Sequence, residues 1–223
     1  DPELGPMIRS LFIPEEDSEW YCADYSQQEP RVLIHYACLK DMSSALQVQK
    51  EFCRNDKTDF HQMVANMAGI ERKQAKTINL GLFYGMGNKK LAAQLGLEQD
   101  QAYELFNQYH NRVPFVKELS RQVSNVAGSR GYIKTLLGRK RRFDLWEPRD
   151  SWGERAYSLS EAYSHYPKQE LKRAYTHTAL NALIQGSSAD ITKSAMIKIY
   201  EAGLLDEIDL KLTIHDELDF SIP

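Results

Sequence analysis

Apolar and polar residues alternate in two stretches near the C-terminal end, Leu210-Lys211-Leu212-Thr213-Ile214 and Leu218-Asp219-Phe220-Ser221-Ile222, the period of a strand with one face buried. Between them stands His215-Asp216-Glu217, so the pattern predicts a hairpin with a carboxylate pair at its tip. Near the other end, the aromatic-rich Trp20-Tyr21-Cys22-Ala23-Asp24-Tyr25 follows a turn-like segment from Pro14 to Ser18 and predicts a strand ending near Asp24. Pro30 suits the first turn of a helix, where its missing N–H costs nothing, and Val32, Leu33, Tyr36 and Ala37 follow at helical spacing. Residues 24–29 therefore sit at a strand-to-helix junction.

From about Met42 to Ala127 the pattern is helical, interrupted at Asn55-Asp56, Gly69, Gly85-Met86-Gly87, Gly96 and Pro114, which predicts a subdomain of several short helices. Gly131 to Phe143 reads as a second hairpin. Glu147 to Gln169, polar and aromatic with Pro148, Gly153 and Pro167, reads as an inserted loop, and a long helix is expected from about Glu170 to Ala202 with Gly186 near its middle. Strand, helical insert, helix and hairpin in that order give an α+β fold rather than a parallel alternation. The final hairpin is expected to leave an unpaired edge, hence marginal stability or aggregation.

Composition narrows the classes without choosing among them. The 223 residues are 42% hydrophobic and 26% charged, as expected of a soluble globular chain. No run approaches the ~18 apolar residues of a membrane helix, and the first residues have neither the basic nor the apolar region of a secretory leader. Cys22, Cys38 and Cys53 form no Cys-x-x-Cys pair, which suggests neither a disulfide framework nor a zinc site and fits a reducing compartment. A net charge of −3 hides a local block, Arg139-Lys140-Arg141-Arg142, with Lys134 just before it; a solvated loop accounts for it as well as a phosphate contact does. Both ends are expected to be internal to a longer protein.

Two constellations carry chemistry. In Arg72-Lys73-Gln74-Ala75-Lys76-Thr77-Ile78-Asn79-Leu80-Gly81-Leu82-Phe83-Tyr84-Gly85, residues 72, 76, 80 and 84 are four apart and drift slowly around one helical face. Arg offers a fork for phosphate oxygens, Lys a point charge and Tyr84 a stacking surface, so the face suits a nucleotide; an ordinary amphipathic helix with solvated cations is the competing reading. The second constellation is Asp24 at a strand end with Asp216-Glu217 at a hairpin tip. Hard oxygen ligands converging from different elements are what two-metal phosphoryl transfer requires. Against this stand a plain polar turn and a hydrolase with His215 and Asp216 as metal ligands, which would want more histidines at ligand spacing than the six scattered ones provide.

Taken together, Asp24-Tyr25-Ser26-Gln27-Gln28-Glu29-Pro30-Arg31, the helix from Arg72 to Gly85, and His215-Asp216-Glu217 resemble, in order and spacing, the three polymerase motifs of family A DNA polymerases, the DNA polymerase I-like group. The resemblance spans Asp1 to Phe220. It implies a polymerase palm, an antiparallel sheet bearing Asp24 and Asp216, with an inserted helical fingers subdomain: residues 1–40 and 131–223 as palm, 41–130 as fingers.

The resemblance also implies roles. Asp24 and Asp216, with the backbone carbonyl of Tyr25, would hold two Mg²⁺ ions, for which Mn²⁺ would substitute, and Glu217 is an auxiliary acid. Arg72, Lys76 and His61 would meet the incoming triphosphate, and Lys76 would also donate a proton to pyrophosphate. Gln27, Leu80 and Tyr84 line the nucleotide site in the same comparison, and Glu29 is a steric gate against the 2′-hydroxyl. Arg31, Asn181, Gln185 and His215 would touch primer–template DNA. Partners are then primer–template DNA and deoxynucleoside triphosphates, with a monomer and a cytoplasmic location expected.

Departures are visible. Leu80 stands where Phe or Tyr is usual, His177 where many members have arginine, and Gln28 and Pro30 replace aliphatic residues, a combination more like phage replicative enzymes than bacterial repair enzymes. A thumb and a 3′–5′ exonuclease are not expected within the chain. Two rivals stand beside this reading: template-directed RNA synthesis, which Glu29 disfavours, and a module that binds DNA or nucleotides without turnover, which has no need of two metal-holding aspartates.

Overall fold

The computed structural model describes residues 4–55, 57–83, 86, 88–150 and 154–223. In chain order the regular elements are α1 (Leu4–Arg9), β1 (Glu19–Asp24), α2 (Gln28–Cys38), α3 (Ala45–Arg54), α4 (Phe60–Ala68), α5 (Arg72–Phe83), α6 (Asn88–Leu95), α7 (Gln99–Arg112) and α8 (Pro114–Arg130). There follow β2 (Tyr132–Lys134), β3 (Lys140–Arg142), β4 (Trp146–Pro148), α9 (Leu159–His165), β5 (Leu171–Arg173), α10 (Ala179–Glu201), β6 (Asp209–Ile214) and β7 (Glu217–Ile222). The mixture of helices and antiparallel strands is the expected α+β class.

The chain divides into two compact units, residues 1–28 with 188–223, and residues 29–187. It passes from one to the other within α2 and within α10.

The first unit is built on a three-stranded antiparallel sheet in the order β1-β7-β6. β7 is thus the central strand, hydrogen-bonded on both sides, and of the final hairpin only β6 lies at a sheet edge among the described residues. The reason is non-local: β1, some two hundred residues earlier, supplies the second neighbour. Burial along β7 places Leu218, Asp219 and Ser221 inside, and the Ser221 hydroxyl donates to Glu15, which also accepts from Lys211 of β6. That pairing with Lys211 and Ser221 pulls the Glu15 carboxyl down to about 2. Within this unit the Gln28 side chain, at the start of α2, donates to the Thr192 hydroxyl of α10 at 3.3 Å.

The second unit is mainly helical, with the two short strand pairs β2–β3 and β4–β5, and its core gathers Leu33, Val48, Phe60, Val64, Ile78, Tyr109, Phe115, Val116, Leu180 and Ile184, all almost inaccessible. Each such side chain contributes on the order of 1.5–3 kcal/mol by leaving water. The helix ends follow local chemistry. Asp59 caps α4 by accepting from the Gln62 amide at 3.0 Å, Pro114 opens α8, and Gly131 ends it with φ 79°, a left-handed conformation that a β-carbon disfavours.

Two sequence expectations are corrected here. The stretch from Glu147 to Gln169 is not an unstructured insert: β4 pairs with β5 from Trp146↔Arg173 to Pro148↔Leu171, and α9 starts at a reciprocal cap in which Glu161 accepts from both the Ser158 amide and hydroxyl. The long helix starts at Ala179 rather than about Glu170, because β5 and a short 3₁₀ turn occupy the residues before it. The strand pairing that claims Leu171–Arg173 lies across some twenty-five residues and leaves no periodic signature in the local sequence.

Candidate active site

In the first unit the register brings the predicted carboxylates to one end of the sheet. Asp24, the last residue of β1, stands opposite Glu217, the first of β7, and the Tyr25 amide donates to the Asp216 carbonyl at 3.2 Å. The turn between β6 and β7 is two residues long; His215 takes φ 57°, which lets Ile214 close against Glu217 and leaves the His215 side chain exposed. Partial desolvation, and then the negative charge of Asp216, push the Asp24 carboxyl up from its ordinary value. Two hard-oxygen donors close enough to repel each other are stabilised by a cation between them, so Asp24, Asp216 and the Tyr25 backbone fit a divalent ion.

Two rungs further along the same pair of strands, and so on the same face, Cys22 stands opposite Asp219. Among the described residues, Cys22, Glu217 and Asp219 bring potential ligand atoms within 4.8 Å of one another. Burial and bonding to the Asp219 carboxylate push the Cys22 thiol up to about 11, with the carboxylate the larger influence. The sequence had set the three cysteines aside for lack of a Cys-x-x-Cys spacing; the cross-strand neighbours of Cys22 lie almost two hundred residues away.

In the second unit, α4 and α5 carry the cationic constellation. The Asp59 Oδ2 atom accepts from Arg72 Nε at 2.8 Å and forms an ion pair with Arg72 Nη2 at 2.7 Å, so one carboxylate both caps α4 and orients the guanidinium at the start of α5. Burial would raise the Asp59 carboxyl, but the Gln62 amide and Arg72 outweigh it and hold it below its usual range. His61, two residues after the cap, is half-buried; burial lowers its pKa, and Lys76 and Arg72 lower it further against the opposing charge of Asp59. His61, Arg72 and Lys76 are thereby electrostatic neighbours.

Behind His61 lie two residues that the sequence reading did not assign. Asn79 Nδ2 is 3.0 Å from His61 Nδ1, and the Tyr109 hydroxyl is 2.5 Å from Asn79 Oδ1. Asn79 and Tyr109 are completely buried. A buried Asn inside an otherwise cationic-and-apolar helix was the only available signal, and it named no partner.

Other predicted site residues are more dispersed. Leu80 is half-buried on α5, and Tyr84 lies outside the described residues. Gln27 holds φ 54° just before α2, and Glu29 is half-buried in its first turn. Arg31 stacks its guanidinium 4.5 Å from the Phe52 ring centre, beside a cleft of about 270 Å³ between α2 and α3 lined by Ile34, His35, Gln49 and Cys53. Asn181 and Gln185 are one turn apart on α10 and half-buried. Lys134 and Arg139 to Arg142 are exposed on the β2–β3 hairpin, where Arg139 donates to the Gly186 carbonyl at 2.7 Å and Lys140 sits 4.9 Å from the Tyr132 ring centre.

An antiparallel hairpin bearing carboxylates at its tip, an insert of helices, and an Arg–Lys face with a capped histidine beside it define the polymerase class of α+β folds, the palm type. The chain belongs to DNA polymerase family A, whose family model matches residues 2–223. It is 38% identical over 261 residues to a DNA-directed DNA polymerase of Pseudomonas phage M6, covering 99% of this chain and 35% of that protein. It is 33% identical over 232 residues to DNA polymerase I of Rhizobium leguminosarum, covering 98% of this chain and 20% of the relative. Among solved structures, the POL domain of Pol1 from M. smegmatis, in complex with DNA primer-template and dNTP, superposes with a TM-score of 0.72 at 31% identity, covering 99% of this chain and 36% of that one. The chain thus spans about a third or less of the length of these relatives. Among the described residues, no helix is long and apolar enough to cross a membrane.

Proposed function

We propose that this chain is the palm and fingers portion of a template-directed DNA polymerase that joins deoxynucleotides to a primer 3′-hydroxyl with release of pyrophosphate in DNA replication. The observation that carries the reading is the register that sets Asp24 opposite Glu217 and bonds Tyr25 to Asp216, gathering the carboxylates of two distant motifs at one sheet end. Residues 1–40 and 131–223 serve as palm and 41–130 as fingers.

Asp24, Asp216 and the Tyr25 backbone carbonyl would hold two Mg²⁺ ions, or Mn²⁺ in their place. Bound there, such ions lower the pKa of the primer hydroxyl and neutralise charge on the leaving pyrophosphate. Glu217 stays beside them as an auxiliary acid. Arg72, oriented by Asp59, forks onto phosphate oxygens, Lys76 supplies a point charge and the proton for pyrophosphate, and His61 donates to the same triphosphate. Glu29 excludes a 2′-hydroxyl, Leu80, Gln27 and Tyr84 line the nucleotide site, and Arg31, Asn181, Gln185 and His215 meet the primer–template duplex. The parent protein acts as a monomer in the cytoplasm of a bacterium or infected cell.

The test is Mg²⁺-dependent primer extension by the full-length protein and its Asp24→Ala and Asp216→Ala variants. Loss of extension in both, with DNA binding retained, is expected. Extension that persists overturns the carboxylate assignment, and a wild type that binds DNA without extending it makes the chain a binding module.

A further inference from the structure

The hydrogen bonds behind His61 have consequences for its protonation. Asn79 is a side-chain amide with one accepting and one donating end, and both ends are engaged: Tyr109 at one, His61 Nδ1 at the other. Two arrangements are open in principle. Either Tyr109 donates to the amide oxygen and the amide nitrogen donates to His61 Nδ1, or the amide is reversed, its nitrogen donating to the Tyr109 oxygen and its oxygen accepting from a protonated Nδ1. The placement of the amide selects the first: its oxygen faces the Tyr109 hydroxyl, which donates to it, and its nitrogen, which can only donate, stands 3.0 Å from His61 Nδ1.

We infer that Tyr109 and Asn79 form a positioning relay that fixes His61 as its neutral Nε2–H tautomer, presenting one N–H donor to an anionic ligand. The inference rests on the reading of His61 as a triphosphate contact. An Nδ1 atom that accepts from Asn79 has no room for a proton, so the proton of the neutral ring lies on Nε2, the atom not used by the relay. Complete burial of Asn79 and Tyr109 makes reversal costly, because a reversed amide cannot accept the Tyr109 hydroxyl proton and leaves that donor buried without its acceptor.

The charged groups around the ring act in the same sense on balance. Arg72 and Lys76 of α5 oppose an imidazolium, Asp59 at the start of α4 favours it, and burial adds to the opposition, so His61 titrates below its ordinary value. α7 contributes Tyr109, itself held protonated by burial. The relay therefore supplies a donor whose presence does not depend on pH across the neutral range, beside Arg72 and Lys76.

The test uses the full-length protein with ring-¹⁵N histidine and a long-range ¹H–¹⁵N spectrum, His61 being assigned by its loss in His61→Gln. The expected result at neutral pH is a protonated Nε2 and an unprotonated Nδ1; the reverse pattern overturns the relay, and the wild-type spectrum alone decides this even if a variant fails to fold. Tyr109→Phe frees the amide to reverse, so its His61 signals should shift toward a mixture of tautomers. Asn79→Asp, which accepts from Nδ1–H, should raise the His61 pKa. In steady-state extension, the wild-type KM for dNTP should be flat between pH 6 and 8. For Tyr109→Phe it should rise about fivefold as pH increases through the His61 titration, the equivalent of one hydrogen bond, with kcat changing less. Spectra as expected with a KM profile unmoved by Tyr109→Phe would leave the relay intact and overturn the assignment of His61 to the nucleotide.

Discussion

A single carboxylate oxygen of Asp59 holds Arg72, accepting from Nε at 2.8 Å and pairing with the charge of Nη2 at 2.7 Å. The same Asp59 side chain caps α4 through its other oxygen. One residue therefore fixes both where the histidine-bearing helix starts and where the arginine of the next helix points. Asp59→Asn separates the two duties, since asparagine still caps a helix but no longer holds the arginine by charge. Thermal stability should fall by less than about 1 kcal/mol, because the ion pair is largely exposed. The dNTP KM of the full-length protein should rise severalfold with kcat little changed. A KM equal to wild type would show that Arg72 needs no orientation by Asp59.

Gly186 lies in α10 where a β-carbon would stand 2.6 Å from Thr135 Cγ2. Thr135 cannot easily yield, because its hydroxyl donates to the Arg139 carbonyl and its methyl faces the helix, and Arg139 in turn donates to Gly186 itself. Gly186→Ala should destabilise the chain by roughly 1–3 kcal/mol through overpacking, against the few tenths to 1 kcal/mol that alanine gains over glycine as a helix former. Urea unfolding measures the balance; a stabilised variant would mean that the β2–β3 hairpin moves aside freely.

His110 gives the protein an acid-side weakness. Its ring packs edge-on against Phe106 with centres 4.1 Å apart, its Nδ1 has no hydrogen-bond partner among the described residues, and burial, aided by Lys117, lowers its pKa to about 4. In the unfolded chain the same group titrates near 6.5. The neutral native form is thus fully stabilising above about pH 6.5, and stability falls as pH drops from there toward 4, where the unfolded chain binds a proton that the native one refuses. The loss should reach roughly 2 kcal/mol by pH 4.5. In His110→Phe, the unfolding free energies from urea titration at pH 7 and pH 4.5 should converge by about that amount relative to wild type. An undiminished difference would place the acid sensitivity elsewhere.

The short helices between residues 45 and 130 were legible because their punctuation is local. Asn55, Gly69, Gly96, Pro114 and Gly131 each end or open a helix by backbone chemistry that needs no distant partner. The two terminal strands and the hairpin tip were equally readable from their period of two. The segment from Glu147 to Gln169 was not, since three-residue strands such as β4 and β5 are too short for a periodic signal and exist only because they pair with each other. The same pairing removed the first residues of the expected long helix.

The sequence alone determined which chemical groups are present and which elements carry them: Asp24 at a strand end, Asp216 and Glu217 at a turn, Arg72 and Lys76 one helical turn apart. Spacing within one element is geometry that the backbone fixes without help. Only the tertiary structure decided what stands beside each group across the chain. It made β7 the central strand, set Cys22 against Asp219, attached Arg72 to Asp59 and placed Tyr109 behind Asn79 and His61. Those neighbours set charge, tautomer and burial. They come from packing between segments far apart in sequence, where no periodicity connects one partner to the other.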